Sequence, residues 1–452
     1  MQKQYINLNL SEERLKESNE FLLAVYKIIP KNGTCLDLAS EVAAESSSGS
    51  FTRIGTATDF SETCDAQVYK IDEEKKLAWI AYPTKIFDRA GSVQSIFTYL
   101  AGNVFGVSNL SGLKLLDIWL PQKFLQTFDG PSCNIDDMRY YLDVYERPIL
   151  GTIIKPKIGL KPKEFANACF EFWVGGGDFV KFDEPQADQE FCPFQEVVLE
   201  IRDRMEEAEN ETGKKKIMSI NVSAADFDTM IERADFVCEN MKRGSYAFLI
   251  DGITAGFSAV QTLRKRYPDT FIHFHRAGHG AFTRKENPFG FSVEILTKFG
   301  RLAGASGIHT GTIGVGKMAD DTYETIHDDL GETVYKGFVI EKSRFTPIDE
   351  ALGKVSKGYF FDQDWGDMKP ITPIASGGLN PVKLHKLISK IQVVDFITTM
   401  GAGVHSHPDG TREGARALLE SCEAWQKGIS LEEYAKDHKA LRKAIEKFGT
   451  EN

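Results

Sequence analysis

The sequence contains no apolar run of about 18 residues, the length that a membrane-spanning helix requires. The first twenty residues, MQKQYINLNLSEERLKESNE, also have no apolar segment of the kind found in secretory signal peptides. We therefore expect a cytoplasmic protein without a membrane partner.

Cysteine is scarce and scattered. The 452 residues include seven cysteines, an odd number, and no two of them have C-x-x-C spacing. This pattern argues against a disulfide framework or a zinc knuckle, and it predicts reduced cysteines in the core.

Positive charge is in deficit as well. The formal net charge of -11 makes non-specific binding to nucleic acid unfavourable, because the phosphate backbone would be repelled. An anionic substrate would need positive charge concentrated at its site. The hydrophobic content of 42% and the charged content of 26% are typical of a globular protein, and the length allows two or three domains.

Residues 1–137 predict a ferredoxin-like α+β domain. Segments with strand and helix patterns follow one another in the order β-α-β-β-α-β, which is typical of that fold. In chain order the segments are EFLLAVYKII, CLDLASEVAAES, AQVYKID, KKLAWIAY, VQSIFTYLAGN and LKLLDIWL. A helical connector, DDMRYYLDVYE, leads into the second predicted domain, residues 138–452.

The second domain predicts a (β/α)8 TIM barrel. Eight short apolar runs alternate with helical stretches, and polar residues with Gly or Pro follow each run, where barrel enzymes carry their chemistry. The runs are ILGTIIKPK, DFVKFDE, IMSINVS, AFLIDGITA, FIHFHRAGH, GIHTGTIG, ITPIASGG and VDFITTMGAG. Two helices, about 411–427 and 431–447, are expected to end the chain, the second against the barrel wall. The long polar stretch 317–365 predicts the sixth helix plus an insertion.

The second run places a lysine and two carboxylates at one strand end. Side chains in a strand repeat every second residue, so Lys181 and Asp183 are expected on one face with Glu184 beside them. A surface salt bridge is the simpler interpretation of this trio.

Lys155 and Lys157 end the first run. Their spacing points both ammonium groups the same way, and each is expected to lower the proton affinity of the other, as a lysine base requires. A pair of solvated lysines is the alternative.

Two H-x-H pairs, His273 with His275 and His405 with His407, allow a zinc site. Arg276 would repel a cation there and suits a phosphate or an oxyanion better, and a single strand histidine is more often a packed core residue.

The last three runs favour a phosphorylated ligand. Small residues after strands seven and eight expose backbone N–H groups, which is the usual phosphate site of barrels. These residues are Ser376, Gly377, Gly378, Gly401 and Gly403. His309 precedes a glycine-rich loop that ends in Lys317, and this loop predicts a lid that carries a charge onto bound substrate, with a flexible surface loop as the alternative.

Five motifs together resemble one family. GTIIKPKIGL, GGGDFVKFDEPQ, HFHRAGHGAFTR, SGIHTGTIGVGKM and ASGGLNP, in this order, are similar to the large chain of ribulose-1,5-bisphosphate carboxylase/oxygenase (Rubisco). EVAAESSSGSFT and AGNVFG extend the likeness into the first domain, so that it spans nearly the whole chain. The likeness is greatest to form II and the archaeal II/III forms, which lack small subunits.

The resemblance implies the metal and the proton-transfer groups. Lys181 matches the lysine that CO2 converts to a carbamate, which with Asp183 and Glu184 would bind one Mg2+. Lys155, supported by Lys157, matches the group that moves protons at the reacting carbons. His275 matches a proposed base in hydration, and Lys317 matches the lid lysine that stabilises the new carboxylate.

The resemblance also implies the ligands and the assembly. The expected reaction converts ribulose 1,5-bisphosphate and CO2 to 3-phosphoglycerate, with O2 competing. The matching substrate and phosphate binders are Arg276, His309, Ser376, Gly377, Gly378, Gly401 and Gly403. Glu45 and Asn103 match residues that complete the neighbouring subunit's site, which implies a homodimer or a ring of dimers.

Four positions depart from the family pattern: Ser50, Phe51, Phe182 and Ala402. None of them removes a proton-transfer or metal group. The main alternative function is a Rubisco-like enolase of methionine salvage, which typically changes lid and substrate residues that are present here. A zinc-dependent barrel hydrolase and a non-catalytic assembly protein on the same fold are further alternatives.

Overall fold

The structure of the chain is a computed structural model that describes residues 5–49, 52, 54–284, 286–312, 314–317, 355–356 and 360–449. Ser50 and Phe51, two of the departures from the family pattern, lie outside the described residues. Most of the predicted insertion after Lys317 lies outside them too. None of the helices within the described ranges combines the length and the apolar character that crossing a bilayer requires.

The first domain is an antiparallel sheet covered by helices, as predicted. Its four strands are Phe21–Pro30, Gln67–Asp72, Leu77–Pro83 and Leu110–Trp119. Strand Phe21–Pro30 lies between Leu77–Pro83 and Leu110–Trp119, and Gln67–Asp72 pairs with the far side of Leu77–Pro83. The helices of this part are Glu12–Ser18, Cys35–Glu45, Asp59–Glu62, Val93–Ala101 and Gln122–Leu125, with 3-10 turns at Thr84–Ile86 and Asn103–Gly106.

Sequence patterning explains this sheet. Alternate residues of the strand Phe21–Pro30 bury their side chains in two different clusters, so Leu22 and Tyr26 pack on one face and Leu23 on the other. The helix Cys35–Glu45 begins at a capping box in which Thr34 and Asp37 each satisfy the other's backbone N–H.

The second domain is a closed barrel of eight parallel strands, and this confirms the predicted fold class. The strands are Ile149–Ile153, Phe179–Lys181, Ile217–Asn221, Tyr246–Asp251, Phe271–His275, Gly307–His309, Thr372–Ser376 and Ile397–Met400. Each pairs with its neighbours in sequence, and the eighth closes on the first. The helices around them are Pro162–Val174, Phe194–Thr212, Phe227–Asn240, Phe257–Arg266, Gly280–Thr283, Val293–Ala303, Pro381–Ile391, Ala402–His405 and Thr411–Gln426.

The helix Ile135–Leu142 closes one end of the barrel. Ile135, Met138 and Leu142 pack against the buried first residues of several barrel strands. Arg139 is fully buried and donates to Asp395 at 3.0 and 3.1 Å. The predicted division between residues 137 and 138 falls inside this helix and stays a prediction.

A fifth strand of the first sheet, Phe289–Phe291, was not predicted. It belongs to the chain that follows the fifth barrel strand, and it pairs parallel to Leu110–Trp119. Lys114 is buried beside it and donates to the carbonyls of Thr283 and Arg284 at 3.1 and 2.8 Å. The two domains therefore share one sheet. A short pair, Val355–Ser356 with Gln363–Asp364, completes the strands of the described residues.

The last predicted helix is wrong in extent. It consists of two helices, Leu431–Tyr434 and Lys439–Phe448. Between them the chain turns, and the carbonyl of Tyr434 pairs with Nδ1 of His438 at 2.6 Å. The second of these helices packs on the outer helices Pro381–Ile391 and Thr411–Gln426.

Candidate active site

Lys181 is the last residue of the second barrel strand, and its side chain is fully buried. Its Nζ has no hydrogen-bond partner within the part of the chain that the structure describes. Burial lowers the pKa of Lys181 to about 8, although the neighbouring carboxylates Asp183, Glu184 and Asp251 oppose the shift. A lysine with this pKa is partly uncharged near neutral pH, and an uncharged amine is a nucleophile.

Asp183 and Glu184 follow the strand, and two lysines from the first strand end reach them. Lys155 Nζ donates to Asp183 Oδ2 at 2.6 Å, and Lys157 Nζ donates to Glu184 Oε1. Burial opposes ionisation of Asp183, but hydrogen bonds and the charges of the lysines outweigh it and keep its pKa below the ordinary value. Burial and the proximity of Asp183 raise the pKa of Glu184.

The expectation that the two lysines would lower each other's proton affinity is wrong for Lys157. Partial burial disfavours its charge, but the hydrogen bond with Glu184 and the charges of Asp183 and Glu184 prevail and raise its pKa. The carboxylates that face Lys157 therefore set the direction of its pKa shift.

His275 ends the fifth strand and faces the same carboxylates. Its Nε2 lies 3.7 Å from Glu184 Oε2, and its Nδ1 lies 3.4 Å from Asp251 Oδ1. Burial is the main cause that lowers the pKa of His275 well below the ordinary value, and the charge of Lys181 lowers it further. The ring is therefore a neutral base. Ligand atoms of Asp183, Glu184 and His275 lie within 4.8 Å of one another, which is close enough to surround a cation.

Asp251 belongs to this cluster but was not singled out from the sequence. It is the last residue of the fourth barrel strand, and burial raises its pKa to about 6. The available signal was its position, since it ends the apolar run AFLID at the carboxyl end of its strand, as Lys181 and His275 end theirs.

The zinc alternative loses its second H-x-H pair in the structure. His405 lies 3.0 Å from Thr152 Oγ1 and 3.0 Å from Thr411 Oγ1, while His407 pairs with the carbonyl of Ala440. His405 therefore links the first barrel strand to the helix Thr411–Gln426, and His407 contacts the last helix. Neither joins the cluster of Asp183, Glu184 and His275.

The sixth and seventh strand ends come together on another side of the barrel mouth. His309 Nδ1 lies 2.8 Å from Ser376 Oγ, and the Lys317 backbone N–H donates to the Gly377 carbonyl at 2.8 Å. Gly378 has φ +81°, and a Cβ there would lie 2.5 Å from Lys317 Cγ. The glycine thus lets the loop that carries Lys317 rest on the Ser376–Gly378 turn.

Two glycines at the end of the eighth strand also allow close contacts with neighbouring segments. A Cβ on Gly401 would lie 2.7 Å from Lys155 Cε, and one on Gly403 would lie 2.2 Å from the Leu379 carbonyl. Ala402 sits between them in the short helix Ala402–His405. Arg276, which follows the fifth strand, is buried.

Phe182, another departure from the family pattern, is a core residue in this chain. Its ring is fully buried and meets Phe165 edge to face at a centroid distance of 5.0 Å. It therefore packs behind the cluster and takes no part in it.

Glu45 and Asn103 pair with each other on the first domain. Asn103 Nδ2 donates to Glu45 Oε1. Among the described residues, no hydrogen bond or ion pair connects either of them to the barrel cluster of the same chain.

A small α+β domain followed by a (β/α)8 barrel, with lysines and carboxylates gathered at the carboxyl ends of its strands, defines a barrel enzyme. The chain belongs to the ribulose bisphosphate carboxylase large-chain family, or Rubisco family. The family's N-terminal domain matches residues 9–124, and its catalytic domain matches residues 134–448.

Relatives with similar sequences are ribulose bisphosphate carboxylases as well. The chain is 40% identical to a ribulose bisphosphate carboxylase of Paramagnetospirillum magnetotacticum over 99% of this chain and 96% of the relative. It is 40% identical to one of Rhodobacter capsulatus over 98% and 95%.

Solved structures of the family share the fold. A dimeric archaeal Rubisco from Hyperthermus butylicus has a TM-score of 0.85 and 33% identity, over 98% of both chains. The octameric Rubisco from Pyrococcus horikoshii, in complex with a sulfate ion, has a TM-score of 0.84 and 31% identity, over 100% of this chain and 99% of the other. The predicted carboxy-lyase class is confirmed over the enolase and hydrolase alternatives.

Proposed function

We propose that this chain fixes CO2 onto ribulose 1,5-bisphosphate at the strand-end cluster, after Lys181 itself has captured a CO2. The uncharged Lys181 amine adds to CO2, a C–N bond forms, and one proton leaves to solvent as the carbamate appears. Starting from the ammonium, the side chain loses one proton to become the amine and a second as the carbamate forms, and so changes from a cation into an anion. The observation that carries the proposal is the buried Nζ of Lys181, which has no hydrogen-bond partner among the described residues although the charges of Asp183, Glu184 and Asp251 act on it.

The residues of the cluster fit a magnesium ion once this change has taken place. An ammonium at position 181 would repel a cation, whereas a carbamate with Asp183 and Glu184 offers the oxygen ligands that Mg2+ prefers. When bound, Mg2+ would polarise the substrate ketone and stabilise negative charge on its oxygen. Lys155 and Lys157 would then exchange their present carboxylate partners for substrate.

The proposed proton-transfer roles follow the family resemblance, and contacts around the cluster support them. Lys155 would protonate the reacting carbon in the last step, with Lys157 supporting it. Neutral His275 would remove a proton from the attacking water, and Asp251 at 3.4 Å from its Nδ1 would stabilise the imidazolium that forms. Lys317 would stabilise the new carboxylate.

The phosphate groups have two places to bind. The turn Ser376–Gly378 and the residues Gly401 and Gly403 present backbone N–H groups. Arg276 follows the fifth strand, and His309 lies beside Ser376 at the end of the sixth. The guanidinium of Arg276 and the backbone N–H dipoles supply the local positive charge that an acidic chain needs for a bisphosphate substrate.

The assembly proposed is a homodimer, or a ring of dimers, without a small subunit. Relatives with this fold include a dimeric and an octameric Rubisco. Glu45 and Asn103 make no polar contact with the barrel cluster of their own chain among the described residues, which suits a place in the partner's site.

The test is a reaction with ribulose 1,5-bisphosphate, Mg2+ and labelled bicarbonate. We expect label in 3-phosphoglycerate, and oxygen should compete with the labelling. An absence of labelled product from pre-activated wild-type protein would contradict the proposed function.

A further inference from the structure

A row of four hydrogen-bonded side chains connects four strands of the barrel. Ser219 Oγ of the third strand lies 3.0 Å from His273 Nδ1 of the fifth. His273 Nε2 lies 3.0 Å from His309 Nε2 of the sixth strand, and His309 Nδ1 lies 2.8 Å from Ser376 Oγ at the end of the seventh. The proposed mechanism uses only the last two of these residues.

The two imidazoles are neutral. His273 and Ser219 are fully buried, and His309 is 3% exposed. Burial is the main cause that holds the pKa of both histidines well below the ordinary value, and the charges of Lys181 and His275 act in the same direction. Each ring therefore carries one proton, on one of its two nitrogens.

The contact between the two Nε2 atoms links the proton positions. A hydrogen bond between them requires a proton on one Nε2 and a bare nitrogen on the other. If His273 holds that proton, its Nδ1 accepts from Ser219, and His309 Nδ1–H donates to Ser376. If His309 holds it, every bond in the row runs in the opposite direction.

The direction of the row decides what Ser376 offers to a ligand. When His309 donates to Ser376 Oγ, the Ser376 hydroxyl proton is free to bind an anionic oxygen. When Ser376 donates to His309, only its oxygen lone pairs face the site, and they repel an anion. A phosphorylated ligand therefore binds best when His309 is protonated at Nδ1.

We propose that His273 and Ser219 are positioning residues that fix the proton position on His309, and through it the hydrogen bond that Ser376 gives to a phosphorylated substrate. The inference rests on the proposed function, since it takes His309 and Ser376 as substrate binders. Ser219 and His273 themselves do not touch the substrate.

The direct test uses protein labelled with 15N at histidine, without metal or substrate. Protonated and bare ring nitrogens have distinct 15N shifts, so the spectrum reports the tautomer of each ring whether or not the enzyme turns over. In the wild-type protein we expect His309 to be protonated at Nδ1 and bare at Nε2, and His273 to be protonated at Nε2. A His309 protonated at Nε2, or a doubly protonated ring at pH 7, would refute the proposal.

Ser219→Ala tests whether the row transmits its effect. With its end partner lost, we expect the His309 shifts to move towards the average of two tautomers, although His309 does not touch residue 219. The KM for ribulose 1,5-bisphosphate should rise about three- to tenfold, the value of one lost hydrogen bond, while kcat changes by less than about twofold. Ser219→Thr, which keeps the hydroxyl, should restore both readouts.

Ser245→Ala is the matched control. Ser245 is also buried, and its Oγ donates to the Lys242 carbonyl at 2.7 Å before the fourth strand begins, at the opposite end of the barrel. It should leave the His309 shifts and KM unchanged. If Ser219→Ala gives the same His309 shifts and the same KM as Ser245→Ala, the row has no positioning role. An inactive wild-type protein with the expected tautomers would instead count against the proposed function alone.

Discussion

The pH at which the enzyme activates should report the pKa of Lys181. Capture of CO2 requires the uncharged amine. A pKa of about 8 means that about a tenth of the amine is uncharged at pH 7, half at pH 8 and about nine tenths at pH 9. The activation rate at a fixed concentration of dissolved CO2 should therefore rise about tenfold from pH 7 to pH 9 and level off. A lysine with its ordinary pKa near 10.5 would give about a hundredfold rise without a plateau.

The assay separates activation from turnover. Protein is incubated with CO2 and Mg2+ at each pH, and samples are transferred at intervals into one common assay with ribulose 1,5-bisphosphate. The early rate of activity gain gives the activation rate. A 13C spectrum with labelled CO2 detects the carbamate independently of activity.

A second buried lysine provides the control. Burial lowers the pKa of Lys216 to about 8 as well, but its Nζ donates to the carbonyls of Trp173 and Gly177 at 3.0 and 2.8 Å. Lys181→Met should abolish the carbamate signal and turnover with little loss of folding, whereas Lys216→Met should keep the signal. A signal that survives Lys181→Met, or an activation rate that does not change with pH, would contradict the capture of CO2 by the uncharged Lys181 amine.

Three further predictions concern assembly, stability and metal. An inactive Lys181 variant and an inactive Glu45 variant, when assembled together, should restore about a quarter of wild-type activity. Half of the dimers would be mixed, and each mixed dimer has one intact site out of two. An absence of rescue would mean that the subunits do not share their sites. Lys298 and Asp117 form a buried ion pair, with side-chain exposures of 1% and 0% respectively. Lys298→Met leaves the Asp117 charge buried without this partner, and the free energy of unfolding measured in urea should fall by about 3–5 kcal/mol. Lys443→Met at an exposed pair should cost no more than about 1 kcal/mol, and equal losses would contradict the burial argument. EDTA should abolish carboxylation and Mg2+ with CO2 should restore it, while recovery with Zn2+ alone would favour a different chemistry.

The barrel could be predicted because its strands are buried on both faces. Such strands read as continuous apolar runs, and the polar residues that end them mark the carboxyl edge. Spacing within one strand predicts Lys181 and Asp183 on one face, the strand-end pattern predicts Lys155 at the same edge of the barrel, and the structure brings Lys155 into contact with Asp183. Their charges were harder to predict, since the raised pKa of Lys157 depends on carboxylates of another strand.

The strand Phe289–Phe291 could not be predicted from local pattern. It has only three residues, and Gly290 in its centre adopts φ +144°, where a Cβ would lie 1.9 Å from the Phe282 carbonyl. Its partner Leu110–Trp119 lies far away in sequence, so only tertiary pairing identifies it as a strand.

His273 shows the same limit at the site. In sequence it was one half of an H-x-H pair, to be read as a zinc ligand or as a packed core residue. Its neighbours Ser219 and His309 come from two other strands, and periodicity within one strand carries no information about them.

The sheet shared by the two domains limits how the protein can be divided or recombined. A fragment that begins at residue 138 would leave Phe289–Phe291 without Leu110–Trp119, and the first domain alone would have an open sheet edge. Chimeras that exchange one domain between relatives must therefore preserve the pairing of Phe289–Phe291 with Leu110–Trp119 and the contacts of Lys114. The domain boundary predicted from the sequence, between residues 137 and 138, is therefore a poor place to divide the folded protein.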